Sequence, residues 1–210
     1  MKKVLKCYWW NDQPNFGDEI GHQILEKLGY DIKWSPIEKA DILTTGTILN
    51  MANGKNKKGC IVWGTGATDH KIDNTFDVRA VRGKITNDML GTSAVTGDPA
   101  LLAPIFWKPS PKKHRIGVVR HYVDKRKYPM ANIVIDAGQP VEDVIAQITS
   151  CEFILSSSLH GLILATAYGI PAIRVPHPKV VTGDWKWADF LTCLDRPIEQ
   201  IQQDLLDALK

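Results

Sequence analysis

The sequence predicts an α/β fold of two lobes, each a parallel sheet covered by helices. Three observations lead there. Short apolar runs alternate with helical periods along the 210 residues. That alternation implies parallel sheets with helices on both faces. The pattern breaks at Pro104–His114, a stretch with Pro104, Pro109 and Pro111, beside the basic cluster Lys112-Lys113-His114-Arg115. It then restarts, which marks a linker between lobes. Finally, Phe153–Val175 reads in miniature as strand, polar turn, helix and strand.

In chain order, Val4–Trp10 is the first expected strand and Asn11–Asp18 a loop with Pro14 and Gly17. Asp18 stands where an N-cap is wanted, and Ile20, Ile24, Leu25 and Leu28 carry the helical period to Gly29. A one-turn connection through Trp34 and Pro36 leads to the short strand Ile42-Leu43. Ile48–Ala52 reads as helix, Asn53–Gly59 as an exposed basic loop, and Cys60–Trp63 as strand. Phe76–Arg82 (strand) and Gly83–Leu90 (helix) lead to Thr96-Gly97-Asp98-Pro99. After the linker come strands at Ile116–Val119 and Asn132–Asp136 and a helix at Val141–Thr149. In the stretch that follows, Phe153–Leu155 is a strand, the helix is expected from Leu162, and Ala172–Val175 is the next strand. Asp184–Leu194 and Ile198–Leu209 close the chain as amphipathic helices. In parallel sheets ligands bind beyond the carboxyl ends of the strands. That rule gathers residues 11–18, 44–47, 64–69, 96–99, 120–124 and 156–161 on one rim, facing a cleft between lobes.

Bulk properties narrow the function. A hydrophobic content of 44% supports a sizeable core. A net charge of +3 is far from a nucleic-acid footprint and suits small acidic substrates. Cys7, Cys60, Cys151 and Cys193 are scattered, three of them beside apolar runs, and read as buried thiols of a reducing compartment. The first residues, MKKVLKCYWWND, are broken by Lys6 and too short for a signal core, and no apolar run reaches the ~18 residues of a span. A soluble cytoplasmic protein is expected.

The candidate constellations each admit two readings. The free N–H groups of Ser156–Gly161, opening a helix, suit a phosphate or carboxylate, with His160 binding it or moving a proton. Ser157 and Ser158 add hydroxyls, and Gly161 permits close backbone approach. The plainer reading is a serine cap and a core histidine. Asn15 and Asp18 suit sugar hydroxyls, with Asp18 as a base, or else a simple helix start. Gly64 and Gly66 are turn glycines without a full nucleotide motif. Arg79 and Arg82 offer planar forks for an anion, or form a surface pair. Arg120 and His121, with Tyr122, end the first strand of the second lobe and face the cleft. Lys186, Trp187 and Asp189 are candidates to line it, while Trp185, Trp187 and Phe190 form a candidate packing face. His22, His70, His114, His121, His160 and His177 are too dispersed for a zinc pattern, and G-x-S-x-G is absent.

Six stretches in order carry a resemblance: 8–20 (YWWNDQPNFGDEI), 63–66 (WGTG), 81–90 (VRGKITNDML), 97–102 (GDPALL), 118–124 (VVRHYVD) and 156–173 (SSSLHGLILATAYGIPAI). Together they resemble the polysaccharide pyruvyl transferase family, in particular its exopolysaccharide ketal-pyruvate branch. The chain is short for that family, which implies trimmed lobes. Gly83 follows Arg82 where many members carry an acid, and Arg120 stands where this branch often has a proline.

The resemblance implies a compact GT-B-like fold of two Rossmann-like lobes, 1–108 on the acceptor side and 109–210 on the donor side. It implies transfer of the pyruvyl group of phosphoenolpyruvate onto a glycan sugar as a ketal. His160, with Leu159 as a neighbouring wall, and Arg82 or Arg79 would meet the donor. Asp18 and Asn15 would face the acceptor hydroxyls, and Asp98 would fix its loop. Phosphoenolpyruvate is then a donor substrate, with no metal and no bound cofactor. The expected partners are a saccharide acceptor, lipid-linked in some cases, and no nucleic acid. The expected location is the cytoplasm, including the inner face of the membrane. Two other readings stay open: a glycosyltransferase using a nucleotide sugar, and a non-catalytic glycan- or anion-binding relative.

Overall fold

Two all-parallel sheets carry the chain in a computed structural model that describes residues 4–68, 72, 75–178 and 184–210. The first sheet holds β1 (Val4–Tyr8), β2 (Asp31–Trp34), β3 (Ile42–Leu43), β4 (Ile61–Trp63), β5 (Asp77–Val81) and β6 (Val95–Thr96), in the order β2-β1-β3-β4-β5-β6. The second holds β7 (His114–Arg120), β8 (Ile133–Asp136), β9 (Cys151–Ser156) and β10 (Ala172–Arg174), in the order β10-β9-β7-β8. This is the α/β class the sequence predicts, two Rossmann-like lobes.

The helices are α1 (Phe16–Lys27), α2 (Leu49–Ala52), α3 (Lys84–Leu90), α4 (Ala103–Phe106), α5 (Val141–Thr149), α6 (Leu159–Ala167), α7 (Trp185–Leu191) and α8 (Ile198–Asp207). Strand alternation divides the apolar residues of the first sheet between its two faces. Ile42, Trp63 and Ala80 join the larger core, while Leu43, Val62 and Val81 join a smaller one. The larger core continues into the second lobe through Val119, Ile135 and Ile154. Helix α1 supplies Phe16, Ile20 and Ile24 to it, all fully buried, and each such side chain contributes about 1.5–3 kcal/mol.

The lobes are joined closely. Helix α1 packs against α5 and α6, and the Phe16 N–H donates to the Ala137 carbonyl at 2.9 Å. The last two helices follow the second sheet in sequence but pack on the first lobe. Trp63 Nε1 donates to the Leu205 carbonyl at 2.9 Å, and Arg196 Nη2 to the Thr96 carbonyl at 2.8 Å.

Four local expectations change. Residues 31–34 form an edge strand, not a connection. The first helix is capped by Asn15, whose side chain accepts the Gly17 N–H at 3.1 Å, so Asp18 lies inside the first turn. Helix α6 begins at Leu159 rather than Leu162, and Ser158 at its N-cap makes no side-chain cap bond. The Pro-rich break opens with α4, which the preceding apolar run extends to Phe106.

The topology places the site. In the first sheet the chain leaves β1 to one side for β2 and returns to the other side for β3. In the second it leaves β7 for β8 and returns for β9. A crevice opens beyond the strand ends at each such switch point, and the loops after β1, β3, β7 and β9 meet there.

Candidate functional site

A cleft of about 260 Å³ lies between these loops. Trp10, Asn15 and Asp18 line it from the β1 side, and Gly46, Thr47, Ile48 and Met51 from the β3 side. The second lobe contributes His121, Tyr122 and Ser158–His160, and α7 contributes Lys186.

His160 occupies the first turn of α6, where backbone N–H groups lack helical partners and the dipole is positive. It is 8% exposed. Its ring packs so tightly against α1 that a Cβ on Gly17 would fall 2.2 Å from Nδ1. Glycine at 17 is therefore what lets the two helix starts converge. The Phe16 ring meets the imidazole edge-on, with centroids 6.3 Å apart. Nε2 stands 3.7 Å from Asp98 Oδ2, and neither atom has a hydrogen-bond partner among the described residues. Asp98 Oδ1 accepts the Ala100 N–H at 2.9 Å, which caps its own 3-10 turn and fixes the carboxylate beside Nε2.

Asp18 faces this group from α1. Burial pushes its carboxyl up to about 6, against the pull of His160 and Lys186. Burial also brings Lys186 down to about 8, with Arg82 adding to the fall and Asp18 opposing it. His121 is held down near 4 by burial, with the charges of Lys186 and His177 adding. These groups share one cavity and each departs from its ordinary value, as in sites built for chemistry. At the mouth, Trp10 stacks on Tyr122 across the two lobes at 5.7 Å.

The remaining residues singled out in the sequence lie behind or beyond the cleft wall. Ser157 accepts the His121 N–H at 3.1 Å and lines a neighbouring cavity of about 400 Å³ with Arg174, His177 and Trp187. Gly161 packs against Ser156 and Val119, Gly64 against Pro99, and Gly66 against the Arg82 guanidinium. Arg120 ends β7 with Nη2 3.8 Å from Asp136. Arg79 pairs with Asp77 at 2.9 Å and donates to the Leu209 carbonyl at 3.4 Å, outside the cleft lining.

Arg82 is fully buried. Its Nε donates to Asp189 Oδ2 at 3.0 Å, and Nη1 to Thr47 Oγ1 at 2.8 Å and to the Gly46 carbonyl at 3.3 Å. Asp189 also accepts from Thr86 through its N–H at 2.9 Å and its hydroxyl at 2.7 Å. The acid beside Arg82 is thus supplied from α7, not from position 83. Glycine at 83 allows this, since a Cβ there would meet the Asp189 carbonyl at 1.8 Å. The rim expected from the sequence included 44–47, and Gly46 and Thr47 do line the cleft; sequence reasoning passed over Ile48 and Met51 just beyond it. Their signal was the loop after β3, a switch-point strand. Asp69 and His70 lie outside the described residues. Among those described, no group of three or more His, Cys, Asp and Glu is placed to hold a metal, and no helix is long and apolar enough to cross a membrane.

Over 90% of its length the chain is 26% identical to the succinoglycan biosynthesis protein ExoV of Rhizobium meliloti (strain 1021), of which it spans 65%. Over 91% of its length it is 30% identical to the uncharacterized protein L143 of Acanthamoeba polyphaga mimivirus, of which it spans 75%. The family model for polysaccharide pyruvyl transferase matches residues 15–178, from the cap of α1 past the helix that carries His160. By that match, which covers most of the chain and both sides of the cleft, the protein belongs to the polysaccharide pyruvyl transferase family.

Proposed function

We propose that the cleft transfers the pyruvyl group of phosphoenolpyruvate onto a sugar of a polysaccharide or its precursor, as a cyclic ketal. The observation that carries this reading is the convergence of His160, Asp18 and Lys186 at the start of α6, in a chain of this family. Phosphoenolpyruvate carries a carboxylate and a phosphate. A helix start and a nearby ammonium suit both, because they are oriented before the reaction and need no reorganisation.

In the proposed chemistry, the methylene carbon of the donor accepts a proton and C2 becomes oxocarbenium-like. One sugar hydroxyl oxygen bonds to C2 and loses its proton. The C2–O bond to phosphate breaks, a second hydroxyl oxygen takes its place, and the ketal closes. Two hydroxyl protons are released, one replaces the proton spent on the methyl group, and the other leaves with phosphate. His160 is assigned the proton delivery, with Asp98 as the orienting acid. Asp18 is assigned the removal of acceptor protons, a role suited to a carboxylate whose pKa lies at about 6. The Trp10–Tyr122 pair offers an aromatic face to the pyranose ring.

Phosphate release from phosphoenolpyruvate across β-galactoside, glucoside and mannoside acceptors tests the reading. Acceptor-dependent release with a pyruvyl ketal in the product supports it. No release with any acceptor, while a nucleotide sugar is consumed, would replace it with glycosyl transfer.

A further inference from the structure

Lys186 is 8% exposed, lines the cleft, and makes no hydrogen bond or ion pair among the described residues. A largely buried lysine whose ammonium meets the cleft and no protein partner among the described residues is costly, which points to a ligand on the cleft side. The fold takes pains to place it. Helix α7 is locked to the first lobe by the buried Arg82–Asp189 pair, one turn after Lys186. Trp187 and Phe190 are buried in the larger core and fix the rotation of the helix. Gly83 lets the helix approach the end of β5.

We infer that Lys186 is the cation of an anion site in the cleft, its Nζ donating to a phosphate or carboxylate oxygen of the bound donor while the start of α6 holds the other anionic group. The identity of the donor rests on the pyruvyl-transfer reading; the anion site does not. Asp18 is an opposing charge that acts on Lys186, but burial pushes Asp18 toward neutrality, so it compensates the ammonium only in part. Arg82, by contrast, is fully buried and does not line the cleft; its Nε and Nη1 donate to Asp189, Thr47 and Gly46, and its Nη2 lies against Gly66 with no partner among the described residues. Arg82 is therefore a positioning residue acting through α7 and the β3 loop, and the anion falls to Lys186.

The test is calorimetric titration of wild type, Lys186→Met and Lys186→Arg with phosphoenolpyruvate and with inorganic phosphate, alongside their melting temperatures. A charge-assisted hydrogen bond accounts for about a ten- to hundredfold difference in affinity. Lys186→Met should lose that much for phosphoenolpyruvate, melt no lower than wild type, and be partly rescued by arginine. Wild-type affinity in Lys186→Met overturns the inference and leaves the pyruvyl-transfer reading standing. Binding of inorganic phosphate but not phosphoenolpyruvate by the wild type sinks that reading instead. The Lys186 site then stands if Lys186→Met loses phosphate and falls if it keeps it. A wild type that binds neither anion overturns both.

Discussion

At the scale of single residues, the cleft holds charges at the expense of stability. Asp18 has a folded pKa above its unfolded value, so ionisation disfavours the folded state. The penalty grows as pH rises from 3.8 to about 6 and is constant above. At neutral pH it is on the order of 3 kcal/mol. Asp18→Asn should therefore raise the melting temperature at pH 7, leave it nearly unchanged at pH 4, and slow ketal formation. Thermal unfolding at the two pH values, beside a turnover assay, checks this; a lower melting temperature at pH 7 would show that the carboxylate is a structural anchor. The candidate roles of Asp18 and His160 could be read from the sequence because both stand in short polar turns beside apolar runs. The cap was assigned to the wrong residue, since asparagine and aspartate compete for the same position and only the Gly17 N–H contact decides for Asn15.

Between elements, two close approaches set the geometry. Helices α1 and α6 meet start to start over Gly17. Gly17→Ala drives a methyl into the His160 ring and should cost about 1–3 kcal/mol by overpacking, with the imidazole displaced. Urea unfolding together with the turnover assay measures both effects. Helix α7 meets β5 through Arg82 and Asp189. Arg82→Ala leaves a buried carboxylate unpaired and should cost about 3–5 kcal/mol, read as a lower denaturation midpoint. A variant as stable as wild type would refute the locking role of the pair. Most elements follow from their periods, because buried parallel strands leave plain apolar runs. The strand at 31–34 escaped notice because it is an edge strand, mostly exposed, with no apolar run to mark it. Lys186 was a candidate for the cleft lining, but what holds it there could not be read, since the Arg82–Asp189 pair joins residues 107 positions apart.

For the molecule as a whole, two parallel sheets place their switch points opposite each other, and the cleft is the space between. The restart of the βα pattern after the Pro-rich break announces two sheets. The return of α7 and α8 to the first lobe is not announced, because their amphipathic period says which face is buried but not against what. That return makes the cleft a three-sided site, with the second sheet's histidine, the first sheet's aspartate and the lysine of α7 around one space. The most direct measurement compares phosphate release from phosphoenolpyruvate, with a ketal-forming sugar acceptor present, by wild type and His160→Ala of matched melting temperature. Pyruvyl transfer in this cleft predicts acceptor-dependent release by the wild type and its loss in His160→Ala. Release by His160→Ala at the wild-type rate would contradict it.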